Sequence, residues 1–226
     1  MKSVLVVHPQ FNTIGGAELV SVRVIDWLLS KDNVEVSILT LAPVNLEYIE
    51  RSTGLKLESP RLKVLVAYCP GFIRQAKQKL TLLKLAFLHR AARRLSPGYE
   101  VCISTYGEID FDKKGFQYIH HPLFAGREFL RTYNIVGKKT VLDHSRALAD
   151  FYRKVLFIVS GDRVEGFNRN ITAVNSKFIQ GLVRDVYGIE STVLYPAFLP
   201  NGAGEMVVPW TERVFRFVAL GRVAPD

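Results

Sequence analysis

Short apolar runs rich in β-branched residues alternate along this chain with longer stretches whose apolar residues recur at helical spacing. Residues 3–7 read as a first buried strand, 34–40 as a second and 63–68 as a third, with 99–105, 116–120, 171–175 and 191–194 as further strands. Between them, residues 17–30, 72–95, 141–160 and 176–187 carry the helical period; in 17–30 the set is Leu19, Val20, Val22, Val24, Ile25, Leu28 and Leu29. This β-α-β alternation predicts an α/β fold, a doubly wound parallel sheet of Rossmann-like type with helices on both faces. Such sheets bind ligands beyond the carboxyl ends of their strands. Functional residues are therefore expected just after Val7, Thr105, His120 and Asn175.

The pattern changes near the end. Pro196, Pro200, Gly202, Gly204 and Pro209 give a linker composition, after which residues 213–220 form a new apolar run leading into Gly221-Arg222. The expected organisation is a domain over 1–197, a linker over 198–212, and 213–226 as the first strand of a truncated second domain. With 226 residues, 48% of them hydrophobic and 23% charged, the chain can bury a core without cross-links and does not have the composition of a disordered protein. Cys69 and Cys102 lie in apolar runs without ligand spacing, and read as small buried hydrophobes of a reducing compartment. Met1-Lys2-Ser3 leads straight into the first strand, too short for a secretion signal, and no uncharged apolar run is long enough to span a bilayer. A cytoplasmic protein is expected, either free or peripheral on the cytoplasmic membrane face.

Charge sharpens the picture. The formal net charge is +9, yet from Ser59 to Tyr99 there is no acidic residue against nine basic ones, which leaves the remaining lysines and arginines in balance with the 21 acids. One segment thus carries the whole imbalance and suggests an anionic partner surface. In the helix expected over 72–95, Lys77, Lys84, Arg90 and Arg94 flank Leu80, Leu83, Phe87 and Ala91. That arrangement fits a helix lying on an anionic membrane, and equally a helix packed on the sheet with a solvated basic face. Aromatic residues do not alternate with the basic ones, so no nucleic acid is expected as a partner.

Five segments carry candidate chemistry. His8-Pro9-Gln10-Phe11-Asn12-Thr13-Ile14-Gly15-Gly16-Ala17-Glu18 joins the first strand to the first helix; its glycines either admit a ligand to the helix N-terminus or serve a tight turn. It lacks the dinucleotide fingerprint, which disfavours an oxidoreductase. Glu18 complements the helix dipole and stands where an acceptor contact is also open to it. Tyr118-Ile119-His120-His121-Pro122 puts a histidine pair at a strand end, either packed bystanders or partners for sugar hydroxyls and phosphate. Asp110-Phe111-Asp112 matches a metal-binding pattern too short to be specific, and reads as two solvated acids neutralised by Lys113 and Lys114. In Ala173-Val174-Asn175-Ser176-Lys177-Phe178, Asn175 or Ser176 caps the next helix or faces the cleft floor. Gly221-Arg222 places a guanidinium at a strand end, suited to a diphosphate.

Taken in order, Gly15-Gly16-Ala17-Glu18, Tyr118-Ile119-His120-His121-Pro122, Val174-Asn175-Ser176-Lys177-Phe178, Val193-Leu194-Tyr195-Pro196 and Gly221-Arg222-Val223-Ala224-Pro225 resemble family 4 glycosyltransferases. The nearest flavour is the mannosyltransferases of lipid-linked oligosaccharide synthesis. The resemblance implies a GT-B fold, two Rossmann-like domains across a cleft, with the acceptor held by the N-terminal one and a GDP- or UDP-linked sugar by the other. It implies transfer with retention of configuration and no metal or other cofactor. By position, Gly15, Gly16 and Arg222 would meet the donor phosphate and sugar. His120 would contact the transferred sugar as the candidate catalytic residue, and Asn12, Glu18 and His121 would lie on the acceptor side. The lysine and the paired glutamates that hold the donor in that family have no counterpart here, so this chain is expected to be the acceptor-side portion and inactive alone. The competing reading is a non-catalytic subunit that docks on a membrane or a partner.

Overall fold

The structure is a computed structural model and describes residues 1–76, 80–124 and 146–196. Met1–Pro196 forms one compact unit. Its strands are β1 (Lys2–Val7), β2 (Val34–Thr40), β3 (Leu62–Val66), β4 (Val101–Ser104), β5 (Phe116–Ile119), β6 (Ile171–Val174) and β7 (Thr192–Val193). Its described α-helices are α1 (Gly16–Leu29), α2 (Leu46–Thr53), α3 (Gly71–Gln75), α4 (Thr81–Leu95), α5 (Arg146–Ser160), α6 (Val164–Asn168) and α7 (Lys177–Tyr187). The expected linker over 198–212 and strand over 213–226, with Arg222, lie outside the described residues, as does Lys77.

The strands form one parallel sheet in the order β3-β2-β1-β4-β5-β6-β7. This is the doubly wound, Rossmann-like arrangement that the alternation predicted. The order reverses between β1 and β4, where Val4 stands opposite both Val36 and Val101. Alternation along β1 sorts the core. Val4 and Val6 pack with Val22, Ile25 and Leu28 of α1 and Ile49 of α2, while Leu5 and Val7 pack with Leu85, Leu88 and Ala92 of α4. A third cluster joins Leu156 of α5, Phe167 of α6, and Ile179, Leu182 and Val183 of α7. Each such aliphatic side chain contributes roughly 1.5–3 kcal/mol by leaving water.

Three expectations need correction. Residues 72–95 are not a single helix: α3 ends at Gln75 and α4 begins at Thr81 after Leu80, whose φ of 60° is left-handed and cannot lie inside a helix. The eight-residue helix α2 was not foreseen, because only Ile49 of it is buried and one buried residue leaves no period to read. It is set by its ends: the Asn45 side chain accepts from Tyr48 N at 2.9 Å, and Gly54 closes it at φ 71°.

Asp110 is not solvated, and the lysines beside it do not neutralise it. Its side chain is fully buried and accepts from Arg169 Nη2 at 2.8 Å, Arg93 Nη1 at 3.0 Å, Arg163 Nε at 3.4 Å and Asp112 N at 2.8 Å. Asp112 accepts from Arg163 Nη2 at 2.6 Å and Arg93 Nη2 at 3.0 Å. Lys113 donates to the Tyr99 carbonyl instead. The cluster ties α4, the β4–β5 loop and the ends of α5 and α6 together at the amino edge of the sheet. Beside it, His89 Nδ1 lies 2.7 Å from Asp162 Oδ2, and Asp162 Oδ1 accepts from Asp110 N at 3.1 Å.

Candidate functional site

The turns after β1, β4, β5 and β6 meet at the carboxyl edge of the sheet, where the strand order reverses. His8 directly follows β1 and is wholly buried. Its ladder continues for one residue, with His8 N donating to Leu39 O at 3.1 Å, which fixes the backbone from which the ring projects. Thr105, directly after β4, holds the same level by donating its N–H to Val7 O at 3.1 Å. His8 Nδ1 and Thr105 Oγ1 are 3.0 Å apart, and Thr105 Oγ1 is 2.9 Å from Ser21 Oγ of α1. Phe11 and Tyr106 flank the His8 ring at centroid distances of 4.7 and 5.6 Å.

Glu18 closes the other side. One carboxylate oxygen accepts from Gly15 N at 2.9 Å, capping α1, and the other lies 3.8 Å from His8 Nε2. Gly15 has an extended φ of −114° and Gly16 is already helical, so neither needs the left-handed region and the tight-turn explanation of the pair fails. A Cβ on Gly16 would meet no atom within 4 Å, so the space beside it is open to a ligand. Asn12 is exposed in the same loop.

His120 directly follows β5 and is half-buried. Its Nε2 is buried without a hydrogen-bond partner. Its carbonyl accepts from Asn175 Nδ2 at 3.1 Å, and the Tyr118 hydroxyl donates to Leu194 O at 2.6 Å. Asn175 therefore positions His120, whereas Ser176 is the residue that caps α7, accepting from Ile179 N at 3.2 Å. Beyond His121, the fully buried Glu108 pins the chain: its Oε1 accepts from Leu123 N at 2.7 Å, Phe124 N at 2.8 Å and the Tyr187 hydroxyl at 2.5 Å.

Burial sets the charges. It pushes the His8 imidazole below its ordinary pKa despite the nearby Glu18 carboxylate. His120 is lowered by burial and by the nearness of His8, against the opposing pull of the Thr105 carbonyl and Glu18; His121 is lowered by burial. For Glu18, burial alone would raise the carboxyl, but the His8 ring and the Gly15 N–H outweigh it and hold it below the usual range. At neutral pH the crevice thus presents two neutral imidazoles and one carboxylate. The Nε2 atoms of His8 and His120 are both buried without hydrogen-bond partners. Such groups are costly unless something completes them. Among the described residues, no three His, Cys, Asp or Glu side chains stand together as a metal site.

Of the residues singled out from the sequence, Gly15, Gly16, Glu18 and His120 converge here. Asn12 and His121 lie on flanking loops. Lys84, Arg90 and Arg94 sit on α4, whose apolar side, including Leu85 and Leu88, is buried in the protein. His8, Thr105 and Ser21 had been given no role. The available signal was position, since His8 and Thr105 are the first residues after β1 and β4.

No family model and no curated protein matches the chain. Among solved structures it is similar to a UGT transferase from Siraitia grosvenorii in complex with UDP, at 12% identity and TM-score 0.36, covering 86% of this chain and 50% of that one. It is also similar to apo UGT2 of Phytolacca americana, at 11% identity and TM-score 0.41, covering 86% and 51%. The chain spans about half the length of these structures. Likenesses this distant say nothing of what this chain binds.

Proposed function

We propose that this chain is the acceptor-side portion of a glycosyltransferase. It would move a sugar, with mannose the leading choice, from a GDP- or UDP-linked donor to a lipid-linked glycan with retention of configuration. The observation that carries this reading is the crevice at the strand-order reversal, where His8, Glu18, Thr105 and His120 meet with two imidazole nitrogens unsatisfied. Sugar hydroxyls suit that surface. The unpartnered His120 Nε2 meets one hydroxyl, and the ionised Glu18 carboxylate accepts from others, strengthened by charge. The open space beside Gly16 and the α1 N-terminus suit the close approach of a diphosphate. Because Glu18 already takes the Gly15 N–H, the amides left for phosphate are those of Gly16 and Ala17. Arg222 would add its guanidinium, and Asn12 and His121 would border the acceptor. No metal enters this scheme.

The test is a titration of the chain with GDP-mannose, UDP-glucose and methyl mannoside, following the ring nitrogens of the histidines by NMR. At least one of the three should move the His8 and His120 signals, and His120→Ala should weaken that response. If none of the three disturbs either ring, the reading fails.

A further inference from the structure

The described helices expose an apolar stripe with no role in the crevice. On α5, Phe151 is 64% exposed and Ile158 76% exposed, with exposed Lys154 between them on the same face. The other side of α5 is already in use, since Leu156 is buried in the core and Tyr152 and Phe157 pack against it. The stripe is therefore surplus to folding. α4 runs beside α5 in the same direction, with Arg90 Nη1 donating to Val159 O at 3.4 Å and Tyr152 close to the Leu83 backbone. The outer stripe of α4 carries half-buried Phe87 and exposed Arg90 and Arg94, three to four residues apart, and no acid lies anywhere on α4. Just before α4, Phe72 on α3 is 75% exposed, beside exposed Arg74.

We propose that the outer face of α4 and α5 is a docking surface for an anionic lipid bilayer, with Phe151 and Ile158 of α5 as the inserting side chains. The occupant follows from charge and shape together. A protein partner of ordinary composition does not call for a face whose cations, Lys84, Arg90, Arg94, Arg153 and Lys154, so outnumber its described acids, Asp150 of α5 and the neighbouring Glu165. A leaflet of anionic headgroups over hydrocarbon offers negative charge to Arg90, Arg94 and Lys154 and an apolar layer to the rings between them. This moves the membrane contact from the 72–95 segment alone, whose apolar residues are largely spent on the core, to a surface in which α4 supplies charge and α5 supplies insertion. Phe151 lies in the half of α5 nearer the carboxyl edge of the sheet, so docking there would bring the crevice towards the bilayer. The inference does not rest on the transfer chemistry.

The test uses vesicles of phosphatidylcholine with and without phosphatidylglycerol, in co-flotation. The chain should float with the anionic vesicles only and detach as salt rises, since each cation adds about fivefold to partitioning before screening. Phe151→Glu with Ile158→Glu should lower partitioning at least about tenfold. Trp27→Glu, on exposed α1 across the sheet, should leave it unchanged. In a Phe151→Trp variant, tryptophan emission should shift to the blue on anionic vesicles. No flotation of the wild type, unchanged flotation of the α5 pair, or no blue shift would each overturn the proposal. None of these outcomes touches the sugar titration, so the two readings stand or fall separately.

Discussion

Replacing Asp110 by asparagine keeps the shape of the side chain and removes its charge. In the native cluster the two carboxylate oxygens accept from four donors: Asp112 N and Arg169 on one, Arg93 and Arg163 on the other. An amide oxygen can keep the first pair, but the NH2 group then faces two guanidinium donors. Removing one partner of a buried pair costs about 3–5 kcal/mol. Arg93, Arg163 and Arg169 are 23, 53 and 42% exposed, so water recovers part of their loss and the lower end, about 3 kcal/mol, applies. For a unit of this size that is ~6–12 °C in Tm. Urea denaturation at neutral and acid pH is the assay. Burial alone would raise the Asp110 carboxyl, but the Asp112 N–H and the arginines outweigh it and hold it below its ordinary value. Its stabilisation is therefore complete above the unfolded carboxylate pKa of about 3.9 and is lost as pH falls through the lower folded value. The gap between wild type and variant should close in strong acid. A gap under ~1 kcal/mol at neutral pH, or one indifferent to acid, would refute the assignment of this cluster as a principal tie of the fold.

Gly166→Ala should destabilise by about 1–3 kcal/mol, because its Cβ would overlap the Asp110 carboxylate, which the arginines hold in place. In an Asp110→Ala background most of that extra cost should vanish, and equal costs in both would contradict the contact. His8 and His120 should both titrate below the ordinary value in ring-nitrogen NMR, since burial lowers each. The unfolded chain then takes up protons the folded one refuses, so stability should fall as pH drops below about 6.5 and level off beneath the folded values. His8→Gln should remove much of that loss, and an undiminished loss would mean that His8 is not its source.

The sequence by itself determined the architecture. Period-two and period-3.6 runs can be read locally, and a β-α-β alternation admits few topologies, so the parallel sheet and the edge expected to bind ligands followed directly. The strand over 34–40 has the bounds that the structure shows, because a run of β-branched residues between polar turns leaves little choice. Local signals also marked Gly15, Gly16, Glu18 and His120 as a potential site. They did not show that Glu18 caps its own helix, or that His8 would be its neighbour, because that pairing depends on how β1 and α1 lie against β4.

Tertiary structure alone decided the contacts between distant residues. Asp110 reads as one of two acids in a polar loop, and only folding brings Arg93, Arg163 and Arg169 to it from three separate segments. The Thr105 hydroxyl meets His8 across 97 positions. In the same way the apolar residues of α4 and α5 share one local pattern, but the sheet takes Leu85, Leu88 and Leu156 and leaves Phe151 and Ile158 to solvent. Periodicity reports that a helix has an apolar side; which apolar residues are spent on the core depends on what packs against it.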